Sequence, residues 1–185
     1  MAGTLSVQQI QGLATAADPT TVEISSGHVL KAPGHVIQVV QSTLGGRDTI
    51  TSTSLTNTSL NATITPKFST SKILVKASFL FGQTRSAQNQ DNMKYFTIKI
   101  GSTNIAPHNS RFFAHQNEAS GSIDFNEQTQ VATIEYLDSP ATTSATTYTL
   151  ACSCDNSGVT ISLNGRGYGA GQEGSCTMIL QEIAQ

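Results

Sequence analysis

Charge is scarce in this sequence. Ten Lys and Arg and twelve Asp and Glu are all that 185 residues carry, 12% of the chain and a net −2, where an average domain has about 25%. The basic residues form no cluster, which excludes a nucleic-acid binder, since binding a phosphate backbone needs concentrated positive charge. Long apolar runs are also missing: nothing approaches the roughly 20 residues of a membrane helix. Lys, Glu, Ala and Leu, the strong helix formers, are too few for a helical bundle. Threonine, serine, glutamine and asparagine fill the space, at 25, 21, 14 and 10 copies. Thr branches at Cβ, which suits a pleated strand, so the composition favours β structure.

Nucleophile and metal signatures are equally sparse. There is no Gly-x-Ser-x-Gly, and His28, His35, His108 and His115 have no His-x-x-x-His spacing. Cys152, Cys154 and Cys176 fit a reducing compartment. Cys152 and Cys154 sit two apart on an expected strand, about 7 Å apart on one face, too far to bridge easily. They read as small apolar fillers rather than a zinc site, which wants four ligands. Asp124 with Glu127, and Glu135 with Asp138, are candidate glycosidase pairs, but scattered loop acids produce such pairs by chance. The run Gly165 to Gly174 looks like a phosphate loop. Such a loop needs a helix after it, and here a strand is expected, so it reads as a connection between the last two strands. Asn57-Thr58-Ser59 and Asn61-Ala62-Thr63 match glycosylation sequons, which matter only on a secretory route. Met1 to Gln11 has neither a basic residue nor a signal-peptide core, so the chain is expected to fold in a cytoplasm. No catalytic residue, metal ligand or cofactor is assigned, and the expectation is a protein that is not an enzyme.

From Val36 onward the pattern has period two. Ile73, Val75, Ala77, Phe79 and Phe81 share one face, and so do Tyr148, Leu150, Cys152 and Cys154. The alternation predicts strands near 36–43, 48–54, 59–65, 72–82, 94–101, 111–115, 128–138, 145–154, 158–163 and 175–184. Gly45-Gly46, Pro66-Lys67, Gly101-Ser102, Asp138-Ser139-Pro140 and Asp155 to Gly158 punctuate them. Many short strands at this spacing mean an all-β sandwich or barrel.

Residues 1–34 read as a separate N-terminal segment and 35–185 as the sandwich domain. Leu5, Val7, Ile10 and Leu13 give a weak period fitting either a short helix or a strand. Too few to be buried alone, they are the expected docking residues for a partner. Gly27-His28-Val29-Leu30 and Gly34-His35-Val36-Ile37 echo each other seven residues apart. Leu74 and Leu80 lie on the face opposite Ile73 to Phe81, and a sandwich strand needs only one apolar face. That spare face, with little charge to separate copies, implies an obligate homo-oligomer, a trimer in the first instance.

Two connections are long enough to carry recognition. Gly82 to Met93 holds Arg85, Gln88 and Asn89, and Pro107 to Asp124 holds Arg111, Phe112 and His115. Arg and aromatics beside amides suit a sugar or a protein surface. The alternative is that Phe112 and Phe113 belong to an edge strand, with at least one in the core.

The opening Met1-Ala2-Gly3-Thr4-Leu5, the segment Gly27 to Gln38, Ser71-Lys72-Ile73-Leu74-Val75, Tyr136 to Ser144, and the closing Thr177 to Ala184 together resemble short β-rich virion proteins of tailed bacteriophages, notably those of aquatic and cyanobacterial hosts. The resemblance spans nearly the whole chain. It implies a trimeric, jelly-roll-like antiparallel knob, docked to tail or capsid through its N-terminal segment and contacting host-surface glycan. Two other roles stay open: a capsid decoration protein that stabilises the shell, and a small glycan-cleaving spike. Either way the product is assembled in the host cytoplasm and located in the virion, with no nucleic-acid partner and no membrane insertion.

Overall fold

The computed structural model describes residues 26–85, 93–113, 129–166 and 174–185. They form ten strands: β1 (Val36–Thr43), β2 (Asp48–Ile50), β3 (Thr56–Ile64), β4 (Lys72–Arg85), β5 (Lys94–Ile100), β6 (Thr103–Phe113), β7 (Thr129–Asp138), β8 (Thr146–Cys154), β9 (Val159–Leu163) and β10 (Thr177–Ile183). There is no helix among the described residues.

Alternation explains where each strand points. In β3, Thr58, Leu60, Ala62 and Ile64 are buried while Ser59, Asn61 and Thr63 face solvent. In β10, Met178, Leu180 and Glu182 point inward. In β4, Ile73, Val75, Ala77, Phe79 and Phe81 are all buried, as their spacing requires. The two sheets meet at Phe79, Phe81 and Phe96, whose ring centroids lie 4.7 to 6.0 Å apart at tilted angles. That is the spacing at which aromatic pairs add attraction beyond area burial.

All the pairings are antiparallel, and the main ones nest. β1 pairs β10, β3 pairs β8, β4 pairs β7, and β5 pairs β6. The chain is therefore one long ribbon folded back on itself, then wrapped so that β10 meets β4 and β8 meets β5. The result is two sheets, β1-β10-β4-β7 and β3-β8-β5-β6, the strand order of a jelly roll. β9 continues the line of β10 along the same edge of β4, at Phe81 to Arg85, and β2 pairs β9 beyond it.

Four expected strands change their bounds by three residues or more, one of them β3, which begins at Thr56 rather than 59. The second strand ends at Ile50 rather than 54, because the Ser52 hydroxyl bonds to the backbone of Ser54 and competes with the ladder. β4 runs to Arg85, so Gly82 to Arg85 belong to a strand and not to a connection. β6 spans Thr103–Phe113 rather than 111–115. Pro107 is tolerated there because β6 is the edge of its sheet and the register slips between Phe96 and Ile98, leaving Pro107, His108 and Asn109 in a bulge.

Candidate functional site

The register sorts the connections to two ends of the sandwich. β4 ends at Arg85, β5 begins at Lys94 opposite Phe113, and β7 begins at Thr129 opposite Gly82. The connections 86–92 and 114–128 therefore both leave from one end, here the distal end. The β8–β9 turn joins them: Met93 N–H donates to Asp155 Oδ1 at 3.0 Å, and Asp155 N–H returns to the Met93 carbonyl at 3.2 Å. Among the expected recognition residues, the Arg85 backbone pairs with Val159 and the Arg111 backbone with Tyr95, with Phe112 next to it in β6. The two expected recognition segments thus share one end. Gln88, Asn89 and His115 lie outside the described residues, as do Leu5, Val7, Ile10 and Leu13.

The chain enters β1 at the opposite, proximal end. A turn from Ala32 to His35 closes with the His35 N–H on the Ala32 carbonyl at 2.9 Å. Pro33 takes its second position and Gly34, at φ +81°, its third, the backbone a type II turn demands. Gly27 has φ +86°, so the Gly-His-Val echo is two left-handed glycines, the second of which leads into β1. Gly34 N–H then donates to the Ala184 carbonyl at 2.8 Å, Ala184 N–H returns to His35 at 2.9 Å, and Lys31 lies over the Phe68 ring at 5.0 Å. The sandwich thus holds the chain from Lys31 onward.

Glu182 anchors this end and was not singled out from the sequence. Its side chain is fully buried. Gln38 Nε2 donates to one oxygen at 2.6 Å, and the N–H groups of Lys67 and Phe68 donate to the other at 2.8 and 3.2 Å. Burial pushes the carboxyl up, but these hydrogen bonds outweigh it and hold the group below the ordinary carboxylate range. The signal was available: Glu182 follows Met178 and Leu180 at spacing two, on the core face. Nearby, Tyr148 Oη donates to Asp138 Oδ2 at 2.8 Å; burial, then that hydrogen bond, push the phenol up.

The glycine-rich run leaves β4's edge where β9 gives way to β10. Asn164, at φ +60°, holds the seam. Its N–H donates to the Leu80 carbonyl, its carbonyl accepts from Gly174, and its Nδ2 donates to the carbonyls of Leu44 and Gly46 at 3.0 and 3.3 Å. Gly174 leads through Ser175 and Cys176 straight into β10, so no helix N-terminus follows it. The three thiols are free and buried, and burial pushes each of them up. Protonated and enclosed, they are poor nucleophiles and suit the filler role expected of them. Among the described residues no group of three His, Cys, Asp or Glu is placed to hold a metal.

The fold defines a jelly-roll module with one end where the chain enters β1 and an opposite end from which two long connections leave. No family model and no curated protein matches the chain. Among solved structures it is similar to chains from structures of infectious bursal disease virus. These are the Gt strain (14% identity, TM-score 0.31), the Gx strain (12%, 0.30) and the VP2 subviral particle (15%, 0.30). The match covers 95, 94 and 94% of this chain but only 43, 42 and 42% of theirs, so the chain spans less than half the length of the proteins it matches.

Proposed function

We propose that this chain is a non-enzymatic structural protein of a tailed-bacteriophage virion. It forms a trimeric knob, attached to the particle through its N-terminal segment and meeting host-surface glycan with its distal end. The observation that carries this reading is the two-ended arrangement. The chain enters at Lys31 to Val36, and the connections that follow Arg85 at the end of β4 and Arg111 and Phe112 at the end of β6 leave from the other end of a rigid sandwich. A module that must be held at one end while presenting the other needs this arrangement, and a rigid β scaffold keeps such connections in register. The coat of Thr, Ser, Asn and Gln over a core whose three cysteines are free also suits a particle surface without repair or redox support.

Immunogold labelling of intact particles tests the reading, using antibody to residues 114–128. Gold at the tail is expected. Gold spread over the shell in hundreds of copies would overturn the fibre role in favour of capsid decoration. In a second arm, purified protein labelled with a fluorophore should bind host cells saturably, and R85A with R111A should weaken that binding about tenfold or more. Loss of host polysaccharide mass on incubation would instead make the protein a glycan-cleaving spike.

A further inference from the structure

Among the described residues, five of the seven exposed large apolar side chains lie on two strands: Val36 and Val39 on β1, and Val131, Tyr136 and Leu137 on β7. β1 and β7 are the two edges of one sheet, and among the described residues nothing pairs with the outer side of either. Neither strand contains Lys, Arg or Pro, the residues that usually blunt an edge against pairing. Following the register across the sheet, Val39 stands beside Gln181, Gln181 beside Leu74, and Leu74 beside Leu137. Val39, 57% exposed, and Leu137, 46% exposed, are thus at the same height on opposite edges.

We propose that these edges are the two halves of one self-interface, in which β7 of each copy lies against β1 of the next and the copies close into a ring. This rests on the oligomeric reading above and says which surface makes the oligomer. Direction agrees: β1, β10, β4 and β7 alternate up and down, so a neighbour's β1 beyond β7 continues the antiparallel order. Charge agrees at the proximal end: Asp138 closes β7 there, while the segment leading into β1 carries Lys31 and His35; Glu135, farther along β7, already pairs with Lys76 at 2.7 Å. Asp138 and His35 are both at the proximal end. A second copy fits better than a foreign strand, because one foreign strand covers one edge and leaves the other bare. Two different patches on opposite edges make a heterologous contact, which closes as a ring rather than as a two-fold pair.

Cysteine cross-linking reads this contact directly, since the three native thiols are buried. V39C and L137C co-expressed should form a disulfide-linked pair under mild oxidation, and V39C/L137C in one chain should give a ladder of covalent multimers. Neither single variant alone should cross-link. In parallel, V39D and L137D should each shift the light-scattering mass from oligomer to single chain at micromolar concentration, with the β-type circular dichroism unchanged. Cross-linking of one single variant with itself would overturn the ring contact. So would an oligomer that keeps its full mass in both aspartate variants, although the oligomeric reading would survive. A wild-type protein of single-chain mass would overturn both.

Discussion

The Cys176 thiol serves both backbone polar groups of Leu80: the Leu80 N–H donates to Sγ at 3.3 Å, and the S–H is directed at the Leu80 carbonyl at 3.4 Å. Leu80 lies in the two-residue gap of β4, Phe79 and Leu80, that neither β9 nor β10 reaches, since β9 pairs from Phe81 and β10 up to Ser78; its carbonyl also accepts from the Asn164 N–H. A side chain therefore fills a gap in the ladder. Removing it should leave a buried N–H unsatisfied, at about 1–3 kcal/mol. C176A is expected to lose that much in urea denaturation. C176S, which keeps a donor and an acceptor, should lose about half as much or less. Equal loss in both variants would assign the role of Cys176 to packing alone.

Gly174 lies on the other side of the same residue. A Cβ at position 174 would overlap Leu80 Cδ2 and stand 3.4 Å from its Cβ and Cγ. The obstruction is the tip of a flexible side chain, so G174A should fold, with Leu80 displaced, at a cost of about 1–2 kcal/mol. The same change in an L80A background should cost almost nothing. A double-mutant cycle by thermal or urea unfolding checks the coupling, and additive losses would show that Gly174 is strained by something other than Leu80.

Glu182 should make stability fall with acid. Its carboxyl is held below its usual range when folded, so as pH drops the unfolded chain takes up the proton first. The stability it supplies is fully present above the unfolded value of about 4.3 and is lost as pH falls through the depressed folded value. At pH 7, E182Q should cost about 1.5–3 kcal/mol, because the hydrogen bonds from Gln38, Lys67 and Phe68 lose their charged acceptor. The gap between wild type and E182Q should narrow below pH 4. Denaturation curves of both proteins from pH 3 to 7 measure it, and a gap independent of pH would mean that folding does not shift the titration of this carboxyl.

Most strands were legible because alternation is local. Ile73 to Phe81, Tyr148 to Cys154 and Met178 to Leu180 declare their buried face within a few residues. β6 was misplaced because Pro107 and Asn109 read as turn formers, whereas an edge strand can absorb them in a bulge. The nested pairing is written nowhere locally: β1 and β10 meet across more than a hundred residues, and only the resemblance to jelly-roll knobs pointed there. The seam around Asn164, Cys176 and Leu80 was invisible for the same reason, since it exists only once β9 and β10 share an edge of β4. The two long connections were legible as polar stretches, but Gly82 to Arg85 and Pro107 to Phe113 of those stretches are strand. That the two connections share an end follows from register, which a single sequence does not state.

Truncation separates the tether from the fold more finely than the composition break at residue 34. Among the described residues, the sandwich contacts run from Lys31 over Phe68 through the Ala32–His35 turn to the exchange of backbone hydrogen bonds between Gly34, His35 and Ala184. A chain lacking residues 1–25 loses none of these and should melt within a degree or two of the full protein. A chain lacking residues 1–34 also loses the Gly34 bond, the turn and the Lys31 contact. It should be weaker by about 1–2 kcal/mol, the order expected for one or two backbone hydrogen bonds and an exposed cation–π contact. Both truncated chains should fail to join particles when supplied in place of the full chain, since residues 1–25 contain Leu5, Val7, Ile10 and Leu13. Scanning calorimetry of the two truncations, with a pull-down on assembled particles, checks both halves. Particle incorporation of the 26–185 chain would move the tether out of residues 1–25 and onto the sandwich itself.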